Sequence, residues 1–157
     1  LSRDMHHEVE LVIAIGTGGA DIAVDAAQGH IWGAGVGVDL TRRDLQAEAK
    51  AARRPWDMAK AFDFSAPISP LLPIAQVPSL TEGRIWLSVN GDARQDADIG
   101  DMTWPVVDII AALSRAVRLA PGDLIMTGTP EGVGPVARGD TTTGGVSGIG
   151  TLDARVT

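Results

Sequence analysis

The sequence predicts an α+β fold, strand-rich, built as one domain. Three observations carry that expectation. A Val- and Ile-rich run at residues 8–15 ends on a cluster of glycines. Two segments, 43–54 and 104–119, have helical composition or spacing. Between them lies a proline-punctuated stretch that interrupts any regular alternation of strand and helix.

Taken in order, residues 8–15 (EVELVIAI) are dominated by β-branched side chains and read as a strand, stopped by Gly16, Gly18 and Gly19. Residues 21–28 suit a short helix with Asp21 as its N-cap. Residues 30–40 (HIWGAGVGVDL) read as a second strand carrying Gly33, Gly35 and Gly37. Glycine inside a strand marks a bulge or a close approach by backbone or ligand. Thr41 then caps a helix over 43–54, whose alanines and terminal arginines suit both helix propensity and the C-terminal dipole. From 55 to 82, prolines at 55, 67, 70, 73 and 78 exclude a long helix and leave a loop with short extended pieces. Residues 85–89 form a strand running into an Asn90-Gly91 hairpin turn. Residues 104–119 place apolar side chains at helical spacing, with Pro105 tolerated in the first turn. Pro121-Gly122-Asp123 is a turn, 124–126 a strand entering TGTPEGVGP, and the tail after Gly139-Asp140 reads as terminal strands.

Composition narrows the function. The 157 residues suit a single domain, and a hydrophobic fraction of 45% is enough for a core. A net charge of −7 without any basic run argues against nucleic acid as a partner. The absence of cysteine excludes disulfides, thiolate metal sites and a cysteine nucleophile, and fits a cytoplasmic protein. No apolar run approaches the roughly 20 residues that span a bilayer, and no signal peptide is visible, so no membrane partner is expected. The sequence enters a strand almost directly after Leu1. The expectation is therefore a core domain over 1–157 that lacks an upstream N-terminal segment.

The residues that bear chemistry are few. Glu8 and Glu10 are two apart on a strand, so they share a face. Two like charges beside hydrophobic neighbours are costly to bury unless a cation compensates them, and hard divalent cations prefer oxygen ligands. On the pair alone, a solvated strand end is the simpler account. Asp39, at the end of the glycine-bearing strand, is either a third carboxylate for such a site or a turn aspartate. Lys60, in an apolar proline-flanked loop, is placed to meet an anion or to sit on the surface. Arg43 and Gln46 are one helical turn apart and share a face, fit for a polar ligand or for water. The TGTPEGVGP segment can present backbone N–H groups and hydroxyls to an anion, although it lacks the Gly-Lys-Ser/Thr ending of a Walker A loop. IGTGGAD, which follows the first strand, is dismissed as a dinucleotide fingerprint because Asp21 stands where the last glycine belongs. His6 and His7 adjoin the acidic pair, and adjacent strand residues face opposite ways, so at most one of them points to the carboxylate face.

The order of these segments carries more than any one of them. HHEVELVIAIG, GVGVDLTRRDLQ, RPWDMAKAFDFSAP, LSVNGDARQDADIGDMTWP, LAPGDLIMTGTPEGVGPVARGD and GGVSGIGTL succeed one another over almost the whole chain. In this the sequence resembles the fumarylacetoacetate hydrolase family, and within it most the fumarylpyruvate and acylpyruvate hydrolases. The resemblance implies a mixed β-roll of that family's C-terminal domain type, usually a homodimer. It implies a site for Mg2+ or Mn2+, with Ca2+ as a substitute, built from Glu8, Glu10 and Asp39. Lys60 would be the catalytic cation, helping to hold substrate and stabilise developing negative charge. Arg43, Gln46 and Thr129 match positions that contact substrate. The water-activating His–Glu pair of such enzymes would lie upstream of the Glu8–Glu10 strand, and neither His6 nor His7 matches it.

The implied activity is metal-dependent hydrolysis of a C–C bond in a 2,4-dioxo acid, giving pyruvate and a carboxylic acid. Two alternatives stand beside it: decarboxylation or isomerisation of oxaloacetate or a related 2-oxo acid at the same site, and a metal-binding domain without catalytic activity.

Overall fold

A computed structural model describes residues 2–157. The strands are β1 (Met5–His7), β2 (Val9–Ile15), β3 (Ile31–Val38), β4 (Thr41–Arg42), β5 (Leu72–Pro73), β6 (Arg84–Val89), β7 (Asp92–Asp98), β8 (Leu124–Met126), β9 (Gly134–Val136), β10 (Thr141–Val146) and β11 (Gly150–Arg155). The helices are α1 (Val24–Ala27), α2 (Arg43–Ala51), α3 (Asp57–Lys60) and α4 (Val106–Ala116). The strands form three sheets, in the orders β4-β1-β9, β11-β10-β6-β7 and β5-β3-β2-β8. Strand-rich α+β architecture is therefore observed.

Every strand pairing among the described residues is antiparallel, where the resemblance implied a mixed roll. The main neighbours β2/β3, β6/β7 and β10/β11 follow one another in sequence. Such connections suit antiparallel pairs, whereas parallel pairing needs a long crossover. This topology also leaves no βαβ unit for the IGTGGAD segment to serve.

The strand β2 lies at the centre, and all seven of its residues are buried. Val9, Leu11, Ile13 and Ile15 face the core shared with Ile85, Leu87 and Val89 of β6 and with Val106 and Ile110 of α4. The run shows no polar/apolar alternation because both of its faces are covered. On the other face, Glu10 pairs with Gly37 and Ala14 with Gly33 across the β2/β3 ladder. A side chain at Gly33 would run into the backbone oxygen of Leu72, so the glycine there admits the crossing segment β5.

Several local expectations are corrected. Thr41 does not cap α2. It is fully buried in β4, and its hydroxyl donates to the Asp39 carbonyl at 3.3 Å. Arg42 precedes the helix instead, which ends at Ala51 rather than at 54. Asp21 takes a left-handed backbone conformation three residues before α1 and caps nothing. The helix expected over 104–119 is α4, which stops at Ala116 because Leu119 pairs with Gly19. The Asn90-Gly91 turn joins β6 to β7 with positive φ at both residues, as a type I′ hairpin requires. Among the described residues no helix is long and apolar enough to cross a membrane.

One glycine fixes the loop after β8. Gly132 has φ +92°, and a Cβ there would overlap the Arg94 carbonyl oxygen on β7. Gly132→Ala is expected to destabilise the protein by about 1–3 kcal/mol through left-handed strain plus that clash. Chemical denaturation checks this, and an unchanged midpoint would show that the loop does not need its close seat on β7.

Candidate metal centre

Glu8 occupies the junction between β1 and β2, and Glu10 the second position of β2. They are 8% and 4% exposed, so the solvated strand end does not describe them. Asp39 follows β3, and its backbone N–H donates to the Glu8 carbonyl at 2.8 Å, fastening the two chain segments together. One carboxylate oxygen from each of Glu8, Glu10 and Asp39 lies within 4.8 Å of the others. Sheet pairing of β2 with β3 thus assembles three acids that are far apart in sequence.

Two cations face them. Arg43, the first residue of α2, donates from Nη2 to Glu8 Oε1 at 2.6 Å and from Nη1 to Gln46 Oε1 at 2.5 Å. Lys60, the last residue of α3, donates from Nζ to Glu8 Oε2 at 2.7 Å and to Asp39 Oδ2 at 2.5 Å. Among the described residues no cation bonds Glu10: its Oε2 accepts from the Gly128 backbone N–H at 2.6 Å. That loop is anchored in turn by Thr127, whose N–H and hydroxyl both reach the Leu11 carbonyl.

The electrostatics follow from this geometry. Burial alone would push Glu8 up, but its hydrogen bonds from Lys60 and Arg43 outweigh that and hold it below the usual carboxylate range. Burial raises Asp39 in spite of Lys60. Burial, reinforced by the charges of Asp39 and Glu8, pushes Glu10 up to about 7 against the Gly128 N–H. Burial opposes the charge of Lys60, yet Asp39 and Glu8 carry its pKa above the ordinary lysine value, so it stays an ammonium.

Three carboxylates against two cations leave the cluster one positive charge short, and the shortfall falls on Glu10. An oxygen-only donor set of this kind, partly buried and under-compensated, fits a hard divalent cation such as Mg2+, Mn2+ or Ca2+.

The residues singled out from sequence divide into two groups. Glu8, Glu10, Asp39, Lys60, Arg43 and Gln46 form one connected cluster. Thr129 sits in the adjoining loop and bonds to none of them. Its hydroxyl is held by Gln95 of β7, whose Nε2 donates to it at 2.8 Å. Sequence reasoning passed over Gln95, which stands in the polar run DARQDAD and is 1% exposed. The Gly128 N–H lies in the TGTPEGVGP segment that was expected to present backbone N–H groups to an anion, and the anion it meets is the Glu10 carboxylate.

His7 is fully buried and turned away from the carboxylates, with Nδ1 2.9 Å from Gln95 Oε1. Burial lowers its pKa, so it is neutral. His6 points instead to Asp4, at 3.0 Å. A cavity of about 700 Å³ borders the same loop at Gly128, Thr129 and Pro130 and is walled by Trp104 and Met126. It does not include the carboxylates.

Known proteins are similar to this chain over nearly its whole length. The family described as Fumarylacetoacetate (FAA) hydrolase C-terminal matches residues 2–157. The fumarylpyruvate hydrolase of a Ralstonia species is 44% identical over 155 residues, 99% of this chain and 80% of that protein. The mitochondrial oxaloacetate tautomerase of Mus musculus is 38% identical over 154 residues, 98% of this chain and 70% of that protein. The crystal structure of fumarylpyruvate hydrolase from Pseudomonas aeruginosa, in complex with Mn2+ and pyruvate, superposes with a TM-score of 0.97 at 49% identity, over 99% of this chain and 67% of that one. With its central strand, its acidic cluster and its full-length match taken together, the chain belongs to the fumarylacetoacetate hydrolase family.

Proposed function

We propose that this chain is the core of a divalent-metal-dependent hydrolase that cleaves the C3–C4 bond of a 2,4-dioxo acid, fumarylpyruvate or another acylpyruvate, to pyruvate and a carboxylic acid. The observation that carries the reading is the convergence of Glu8, Glu10 and Asp39 on one point beside Lys60 and Arg43. The similarity to a fumarylpyruvate hydrolase crystallised with Mn2+ and pyruvate supports it.

Glu8, Glu10 and Asp39 would hold the cation, which when bound supplies Lewis acidity and a template for the 1-carboxylate and 2-oxo oxygens. Water adds to the C4 carbonyl, the C3–C4 bond breaks, and its electron pair passes into the pyruvate fragment, which is then protonated at C3. Lys60 is a fixed positive charge in this scheme, not a base, because its acidic neighbours keep it protonated. Preorganised charge of that kind counts most where negative charge develops. Arg43 and Gln46, already bonded to each other, orient the polar end of the substrate. The group that takes the proton from water is expected upstream of Glu8. The same reading expects a cytoplasmic homodimer.

An ultraviolet assay tests the reaction by following loss of the enol absorbance of fumarylpyruvate and acetylpyruvate, with Mg2+ or Mn2+ and with chelator. Metal-dependent loss that yields stoichiometric pyruvate is expected, and its absence with both substrates would overturn the hydrolase.

A second reading has its own support in the similarity to oxaloacetate tautomerases. Interconversion of the oxaloacetate enol and ketone needs no attacking water. It would appear as enol decay without pyruvate, whereas decarboxylation would release pyruvate and CO2 from oxaloacetate. Tight Mn2+ binding without turnover of any of these acids would instead mark a metal-binding domain that has lost its chemistry.

A further inference from the structure

Gln95 is the one residue of β7 that is almost wholly buried and polar, in a strand whose other polar side chains face outward. Burying a primary amide is costly unless all of it is bonded. Here all of it is. Oε1 accepts from the Val9 backbone N–H at 3.1 Å and lies 2.9 Å from His7 Nδ1. Nε2 donates to Thr129 Oγ1 at 2.8 Å and to the Pro130 carbonyl at 2.9 Å. Two acceptor sites and two N–H groups exhaust the side chain.

The orientation of this amide is dictated by the main chain. The Val9 N–H can only donate and the Pro130 carbonyl can only accept, so the oxygen must face β2 and the nitrogen must face the loop. Neutral His7 must therefore carry its proton on Nδ1. The Thr129 oxygen must spend a lone pair on Gln95, which leaves its own proton free, and among the described residues no acceptor takes that proton. A hydroxyl that can turn either way has become a donor whose proton is left for a ligand to claim.

The bracing also joins two halves of the site. Val9 lies between Glu8 and Glu10, while Thr129 follows Gly128, whose N–H bonds Glu10. Gln95 therefore ties the segment bearing two of the acids to the loop bearing the hydroxyl.

We propose that Gln95 is a positioning residue that fixes the Thr129 hydroxyl as a hydrogen-bond donor to the carboxylate of a bound 2-oxo acid. The proposal rests on the functional reading above, together with the family resemblance that implies Thr129 as a substrate-contacting position. Gln95 itself touches no substrate.

The test uses the full chain loaded with Mn2+ and pyruvate as the probe, with both dissociation constants measured by calorimetry. Thr129→Val is expected to weaken pyruvate binding by about tenfold or more, the effect of losing a hydrogen bond to a charged group. Gln95→Met should weaken pyruvate to a similar degree while leaving Mn2+ affinity within about threefold, and it should add nothing in the Thr129→Val background. Additive losses, or a loss of Mn2+ affinity equal to that of pyruvate, would overturn the positioning role and leave a general structural one.

If Gln95→Met does not fold, Gln95→Glu keeps the volume and the acceptors for Val9 and His7. Its second oxygen would draw the Thr129 proton inward, so pyruvate binding should still fall about tenfold. Wild-type pyruvate affinity in that variant would overturn the proposal. Failure of the wild type to bind pyruvate with Mn2+ present would instead overturn the functional reading, and this inference with it.

Discussion

Asp39→Ala is expected to lose Mn2+ binding and turnover together. Affinity should fall roughly 100-fold or more, a larger loss than the removal of a group that merely orients a ligand would cause. The fold should survive the change. The contact that joins Asp39 to the β1–β2 junction is its backbone N–H to the Glu8 carbonyl, which alanine retains. Lys60 keeps its bond to Glu8. The decisive comparison sets calorimetric titration with Mn2+ beside circular dichroism of the same sample. A variant that binds Mn2+ normally and turns over substrate would remove Asp39 from the metal site. A variant that has unfolded would show that Asp39 serves stability first.

Glu10→Gln should have opposite effects with and without metal. The Glu10 carboxyl is pushed up to about 7 in the folded protein, chiefly by burial, from an ordinary value of 4.5. A raised carboxyl pKa means that the folded state binds the proton more tightly than the unfolded chain. Stability is then lost as pH rises between those two values, and the penalty is complete above the higher one. Its size is about 3 kcal/mol at most.

Glutamine has no charge to bury, and its carbonyl can still accept from Gly128. In chelator above pH 7, Glu10→Gln should therefore be more stable than wild type, by several degrees in melting temperature. That difference should shrink to nothing as pH falls below 4.5. His7 pulls the other way, because its burial-lowered pKa costs stability as pH falls below 6.5. It is present in both proteins and cancels in the comparison. With Mn2+ added above pH 7 the order should invert, since only wild type gains the binding free energy of the cation. Equal melting curves in chelator across this range would show that Glu10 is not a strained carboxylate.

Much of the fold and of the site is legible in the sequence, for identifiable reasons. The β2 run, the α4 spacing and the Asn90-Gly91 turn are local signals, and each appears within a few residues of its expected place. The shared face of Glu8 and Glu10 follows from strand geometry alone. Their burial does not, because what covers them is supplied by β3, α2, α3 and the loop after β8. Asp39 is ambiguous in sequence for the same reason: its meaning depends on a ladder that brings residue 39 against residue 8.

The expected caps fail where tertiary structure outweighs local preference. Thr41 is worth more as a buried strand residue than as a helix cap, and Asp21 is claimed by a turn whose N–H bonds the Ser114 carbonyl. β7 offers no apolar alternation to read, so Gln95 looks in sequence like one more solvated side chain.

The bond between Glu10 and Gly128 spans 118 positions of sequence, and that between His7 and Gln95 spans 88. The site is thus non-local in the extreme, and contacts of such separation form slowly, after the entropy of closing long loops has been overcome. While the chain is being made, Glu10 on β2 has no loop to receive it until residue 128 has been added. Cation affinity should therefore emerge late in folding and vanish in the same cooperative transition that unfolds the central sheet, which makes bound Mn2+ a reporter on the completeness of the whole chain.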